Sequence, residues 1–329
     1  MAGVSIKTVS RVMNAEPYVT DAVKEKVTQA IQALDYRPNA SARSLPGSRS
    51  YLIALLFDDP ASGYASGVQS GAISRCRDRG YHLIVEKIVP GSEGLQQHVS
   101  QLARALRLDG AIVAPPACDD PAVLAGLEAA GVAYVRIAPD KSIERSSSVY
   151  IDDEAAAFEM TAALVQLGHR EIGFIKGDPT HGATRQRLAG YLAALQQFGL
   201  ERREAWISDG DFSFRSGLAA AETMFASGSR PTAIFASNDD MALGVLAAAG
   251  RAGISVPGQL SVAGFDDSPG AKVVWPQLTT VRQPNAEMAA TAVDLLVDQA
   301  AAKSASPEPT REPLTFELMM RESTGPRQA

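Results

Sequence analysis

The sequence predicts an α/β protein made of two doubly wound lobes behind a small all-α head. Three observations carry this. From Tyr51 onward, short apolar runs alternate with stretches of helical length, which is how parallel sheets covered on both faces are written. That alternation occurs twice, each pass spanning about a hundred residues, an ordinary domain size. The first fifty residues carry helical patterns and no strand-like run. With 329 residues and 46% hydrophobic content, the chain is too long for one small core.

In the head, SIKTVSRVMN forms a short helix capped by Ser5. Val9, Val12 and Met13 turn inward, and Lys7, Thr8, Ser10 and Arg11 lie along a polar face. A second helix, DAVKEKVTQAIQALDY, starts behind Thr20 as N-cap with Asp21 in its first turn. Val23, Val27, Ile31 and Leu34 share its apolar face, and Pro38 ends it.

In the body, the first pass reads as strands at 51–57, 81–88, 110–115 and 132–137, with helices at 62–78, 92–106 and 121–130. After SVYID at 148–152, the second pass reads as strands at 171–177, 232–237 and 260–267, plus a weaker segment at 205–212. Its helices fall at 154–167, 184–197, 213–226 and 241–252. Open parallel sheets bind ligands beyond the carboxyl ends of their strands, so a cleft between the lobes is expected.

Charge is informative once divided. Residues 1–50 hold seven basic against four acidic residues, a net of +3, which leaves −9 on the remainder of a chain whose total is −6. A basic head on an acidic body suits contact with an anionic polymer at one end, because clustered Lys and Arg release its counterions. A short helix carrying Lys, Ser, Thr and Arg fits the major groove. Lys7, Thr8 and Arg11 are expected to read or position there, with Ile6 offering an apolar contact.

Several function classes are disfavoured. The dense apolar run YLIALLF is far shorter than the roughly 20 residues of a membrane span. MAGVSIKTVSRVMN lacks the apolar core of a secretory signal, so a cytoplasmic protein is expected. Cys76 and Cys118 form no CxxC pair and read as buried apolar fillers. His82, His98, His169 and His181 show no metal-ligand spacing and read as surface or structural. GDPTHGAT has phosphate-loop glycines without the lysine, and no GxSxG elbow occurs. Five Asp-Asp pairs, at 58/59, 119/120, 152/153, 239/240 and 266/267, are read as caps and ligand hydrogen-bonders, since adjacent residues do not face each other. No enzyme activity, cofactor or metal is expected.

The order Gly-Val-Ser, short helix, turn, longer helix, Asp-Tyr-Arg-Pro-Asn resembles the helix-turn-helix DNA-binding head of the LacI/GalR family of bacterial repressors. ASARSL, residues 40–45, resembles that family's hinge helix, in which a leucine matching Leu45 wedges between base steps of the minor groove. The resemblance also implies DNA contacts at Ser5, Ser10, Asn14, Thr20, Asn39 and Ala42. The body resembles the family's periplasmic-binding-protein-like effector domain, most specifically through PTAIFASNDDMALGVLAAAGRAGISVPGQLSVAGFDDSP, LTTVRQP and a terminal RES. It implies a head at 1–39, a hinge and linker at 40–50, an N-terminal lobe at 51–149 plus 283–312, a C-terminal lobe at 150–282 plus 313–323, and a tail at 324–329. The helix at 285–300 and the strand region 314–320 are expected to weave back between the lobes.

A sugar- or purine-sized ligand wants carboxylate, guanidinium or amide groups beside an aromatic platform. Arg187, Asn238 and Asp266 match ligand contacts of the family, and Asn238 is equally an N-cap by position. Phe212 and Tyr64 match aromatic or cleft-facing positions of some members. Asp152 faces the cleft or caps the next helix. The implied function is a homodimeric repressor whose operator affinity is set by a small effector, a sugar by family default. The family's head opens with a further helix, whereas this sequence begins at the turn after it, so upstream codons are expected to encode the missing helix. The alternative is a small-solute binding or sensor protein that does not touch DNA. The tail lacks a leucine heptad, so a dimer is the expected upper limit.

Overall fold

The computed structural model describes residues 2–13, 19–34, 49–59, 62–226, 230–301 and 308–327. The chain divides into two compact units, Met1–Ser50 and Tyr51–Ala329.

The head unit contains α1 (Ile6–Met13) and α2 (Asp21–Ala33). Ser5 caps α1, its Oγ accepting the Thr8 N–H at 3.2 Å and lying 2.9 Å from the Thr8 hydroxyl. Thr20 occupies the N-cap of α2 in extended geometry, as expected, although its side chain makes no capping hydrogen bond. Among the described head residues only Val27 is a fully buried hydrophobic side chain. Val23 and Ile31 are half-buried, and Leu34, at the C-cap, is exposed. The helix therefore stops at Ala33, short of Pro38, which lies outside the described residues together with Asn14, Asn39, Ala42 and Leu45.

The body contains two six-stranded sheets. The first uses β1 (Leu52–Phe57), β2 (His82–Lys87), β3 (Gly110–Val113), β4 (Tyr134–Ile137), β5 (Ser148–Tyr150) and β11 (Arg311–Pro313), in the order β11-β5-β4-β3-β1-β2, all parallel. Its helices are α3 (Gly63–Asp78), α4 (Leu95–Leu106), α5 (Pro121–Ala130) and α11 (Asn285–Ala301). The second uses β6 (Ile172–Ile175), β7 (Ile207–Ser208), β8 (Ala233–Ala236), β9 (Ser261–Phe265), β10 (Thr279–Arg282) and β12 (Glu317–Met319), in the order β12-β10-β9-β8-β6-β7. Only β12 runs antiparallel. Its helices are α6 (Asp153–Gln166), α7 (Gly182–Gln197), α8 (Phe214–Ala226), α9 (Asp239–Arg251) and the short α10 (Pro269–Val273).

Strands such as β1, β3, β8 and β9 are buried almost throughout, as parallel strands covered on both faces must be. Cys76 and Cys118 are buried, and burial pushes the Cys76 thiol up to about 12. His169 is buried among the hydroxyls of Thr232 and Ser261 and the Gly325 carbonyl, at 2.9–3.1 Å, joining the second sheet to the chain's end.

The chain crosses between sheets three times: from β5 to α6, from β10 to α11, and from β11 to β12. The expected strand at 314–320 is the last of these crossings, and only Glu317–Met319 pairs, against β10. α11 returns to lie on α3, so close that a Cβ on Gly71 would collide with the Ala286 backbone. Across the opposite edge, Asp140, in the loop after β4, binds Arg185 and Gln186 of α7. Fully buried Arg136 fixes that loop through the carbonyls of Lys141 (2.8 Å) and Ser142 (2.6 Å).

Candidate functional site

In the head, α1 presents Ile6, Lys7, Ser10 and Arg11 to solvent, Ile6 at 90% exposure, while Val9 and Val12 are half-buried behind them. Thr8 is half-buried and shares its hydroxyl with Ser5. The helix thus carries an exposed cationic and hydroxyl-bearing face with an apolar side chain at its start.

In the body, a cavity of about 590 Å³ opens between the carboxyl ends of the two sheets. Parallel topology dictates its contents, because strands end there and the following helices begin there. Five of the sequence-predicted residues meet in it: Tyr64, Arg187, Phe212, Asn238 and Asp266.

Arg187 lies two turns into α7, almost fully buried. Its Nε donates to Asp153 at 2.6 Å and its Nη1 to the Ser237 carbonyl at 2.5 Å, with the guanidinium 3.5 Å from the Phe265 ring centroid. Asp266 follows β9 with φ +118° and accepts the Gln283 amide N–H at 2.6 Å. Burial pushes its carboxyl well above the usual range, against the opposing charge of Arg187. Tyr64, in the first turn of α3, stands edge-on to Phe57, and burial drives its phenol up. Phe212, at φ +66°, packs its ring against His181 (centroids 5.0 Å apart) and over Gly177, where a Cβ would overlap the ring. Asn238 does two things: its Oδ1 accepts the Met241 N–H as cap of α9 (2.9 Å), and its Nδ2 donates to the Phe212 carbonyl (2.9 Å).

Asp152 is the residue that does not belong. It is exposed, caps α6 by accepting the Ala155 N–H at 2.9 Å, and is absent from the lining. The strand ends at Tyr150 and the helix opens at Asp153, so it is Asp153 that turns inward to Arg187.

The lining also holds residues that were not singled out individually as ligand contacts. His181, expected to be surface or structural, sits at the N-cap of α7 in the cleft, its imidazole held below its usual pKa by burial despite Asp58 at 3.9 Å. Asp239 is buried, accepting from the Thr280 hydroxyl (2.6 Å) and the Ser268 N–H (2.7 Å), and burial raises its carboxyl to about 7. Asp240 is raised by burial and by Asp59. Ser268 is 6% exposed and lines the cleft, its hydroxyl acting on the Asp239 carboxylate and partly offsetting the effect of burial there. The Asp-Asp pairs were the available signal. Four of the five contribute to the lining; Asp119 and Asp120 instead hold backbone N–H groups of Asp140, Gly91 and Ala122.

Such a cavity can clamp a small polar molecule between aromatic rings and carboxylate or amide acceptors. Among the described residues no group of three or more His, Cys, Asp or Glu could hold a metal ion, and no helix is long and apolar enough to cross a membrane.

Residues 1–39 match the bacterial regulatory proteins of the lacI family, and residues 161–324 match the periplasmic binding protein-like domain. The chain is 33% identical over 303 residues to the HTH-type transcriptional repressor PurR of Erwinia tasmaniensis, covering 92% of this chain and 89% of that one. Among solved structures, the transcriptional regulator CelR-cellobiose complex matches with TM-score 0.76 and 32% identity, over 98% of this chain and 97% of that one. The lac repressor dimer bound to operator and the anti-inducer ONPF matches with TM-score 0.80 and 30% identity, over 98% and 96%. With a head match, a body match and whole-length similarity to repressors all falling on one polypeptide, this chain belongs to the LacI family of bacterial regulatory proteins.

Proposed function

We propose that this chain is a DNA-binding transcriptional repressor whose grip on its operator is controlled by a small effector held in the cleft. The observation that carries it is the union, in one chain, of a lacI-type head exposing Lys7, Ser10 and Arg11 with a cleft lined by aromatic and hydrogen-bonding groups. It is a regulator and not an enzyme, in keeping with its repressor relatives.

α1 serves as the recognition helix: Lys7 and Arg11 reach guanine edges or phosphates, Ser5, Thr8 and Ser10 supply hydroxyl contacts, and Ile6 meets a thymine methyl. Thr20 approaches the backbone at the start of α2. Tyr64, Arg187, Phe212, Asn238 and Asp266 hold the effector, for which a sugar is the first candidate. The repressor works as a homodimer in the cytoplasm, its two-fold symmetry matching a near-palindromic operator. Effector binding alters how the two sheets face each other, and the coupling to DNA is reciprocal.

Fluorescence anisotropy with operator DNA at fixed salt tests this. Arg11→Ala is expected to weaken operator binding by about 1–3 kcal/mol while effector affinity holds. Equal operator affinity would remove Arg11 from the interface. An effector that binds tightly with no DNA bound under any condition would favour a solute sensor.

A further inference from the structure

The two sheets are built alike, and the likeness brings out one difference at the cleft. β1 and β6 hold the same place, fifth in the orders β11-β5-β4-β3-β1-β2 and β12-β10-β9-β8-β6-β7, and β4 and β9 both stand third. The helix after each fifth strand opens on a glycine, Gly63 in α3 and Gly182 in α7. Each glycine leans on the loop that follows the third strand of the other sheet. A Cβ on Gly63 would lie 3.1 Å from the Ser268 Cβ, and one on Gly182 would overlap the Asp140 side chain. The lobes therefore meet at two equivalent points, related by exchanging one sheet for the other.

Equivalent in place, the two points differ in chemistry. Ser268 is turned to its own sheet: its N–H donates to Asp239 at 2.7 Å, and its hydroxyl acts on the same carboxylate. Asp140 reaches across instead, accepting from Arg185 and, at 3.1 Å, from the Gln186 amide, one turn beyond Gly182 in α7. An exposed ion pair by itself holds little, because ordering two long side chains offsets the attraction. Here the acceptor is already fixed. Asp119 takes the N–H groups of Asp140 and Lys141, each at 2.9 Å, and the buried Arg136 guanidinium holds the carbonyls of Lys141 and Ser142. The Asp140 side chain is 15% exposed, so the cost of ordering falls on the α7 side chains. His181 caps that end of α7 and Arg187 stands on its second turn, so whatever holds the helix start also holds two residues of the cleft.

We propose that Asp140 is a latch between the lobes: the Gly182–Asp140 point stays closed and serves as a pivot, and the cleft opens by parting at the Gly63–Ser268 point. The crossovers supply the loop residues that absorb such a rotation. The latch belongs to the chain by itself and is independent of the effector reading above.

Dipolar spin-label spectroscopy on the full chain, diluted with unlabelled chain so that distances within one copy are read, tests it. Lys141→Cys with Thr180→Cys spans the latched point, and Ser66→Cys with Pro269→Cys spans the free one; all four positions are exposed, and both native cysteines are buried. The Lys141–Thr180 pair is expected to give one narrow distance, and the Ser66–Pro269 pair a spread that reaches at least about 2 Å further. Asp140→Ala is expected to raise the longer-distance fraction of the Lys141–Thr180 pair about two- to fivefold. Arg185→Ala removes a side chain that is 67% exposed and leaves the core as it is, so the same rise there separates loss of the latch from damage to the loop. Combining the two is expected to add nothing to Asp140→Ala alone, because both act through one contact. Gly182→Ala, a wedge in a helical backbone, is expected to lengthen the same distance. A Ser66–Pro269 distance as narrow as the other, or a Lys141–Thr180 distance that neither Asp140→Ala nor Arg185→Ala alters, overturns the proposal.

Discussion

Arg187 and Asp153 are a buried ion pair, 6% and 3% exposed at their side chains, and removing either partner strands a charge. Arg187→Ala is expected to destabilise the body by about 3–5 kcal/mol in urea unfolding, and to abolish effector binding as well. Asp239 supplies a pH signature. Its folded pKa of about 7 lies above the ordinary 3.8, so between those values the unfolded chain has released a proton that the folded chain still holds. Stability therefore declines as pH rises from about 4 to about 7 and the contribution levels off above that. Asp239→Asn is expected to flatten this limb in urea titrations at several pH values; an unchanged slope would assign the decline elsewhere. At this scale the sequence was readable where a residue follows a strand inside a long motif, as for Asn238 and Asp266. It misled by one position at Asp152, because a strand-to-helix boundary shifts by a residue or two without any change in pattern. His181 was invisible because its role comes from where α7 starts in space, and its neighbours carry no metal or catalytic spacing.

Most helices longer than two turns were legible from the residue pattern, and α5 runs Pro121–Ala130 as expected, while α11 was expected only from the family resemblance. The short elements were not legible. β7 pairs over only two residues of the segment at 205–212, and α10 (PGAKV), β10 (TTVR) and β11 (REP) lack the dense apolar run that made four-residue strands such as β3 and β8 readable. Helix packing adds a constraint that no pattern reveals. Gly71 of α3 lies against the Ala286 backbone of α11, a rigid neighbour that cannot rotate aside as a long side chain can. Gly71→Ala is expected to cost about 1–3 kcal/mol by overpacking, measured as a lowered urea midpoint with unchanged slope. Gly91→Ala provides the contrast: a Cβ there meets nothing, and its expected cost comes from φ +73° alone.

Over the whole molecule, the most exposed large hydrophobic side chains among the described body residues are Val273 and Trp275, at 83% and 82% exposure, two positions apart after β9. An exposed tryptophan is the kind of anchor a subunit interface uses. Trp275→Asp is expected to weaken self-association by about 2 kcal/mol or more, seen by sedimentation velocity across a dilution series. A concentration-independent monomer in the unsubstituted chain would instead reject the homodimer. The doubly wound architecture followed from βα alternation, whereas the identity of the strands that return late, β11 to one sheet and β12 to the other, depended on pairing partners far away in sequence. Those returns have a practical consequence. Neither half of the body is a continuous stretch of chain, so a protease that nicks one connector leaves the pieces threaded through the other two. Transplanting one half into a relative would likewise take three splice junctions rather than one.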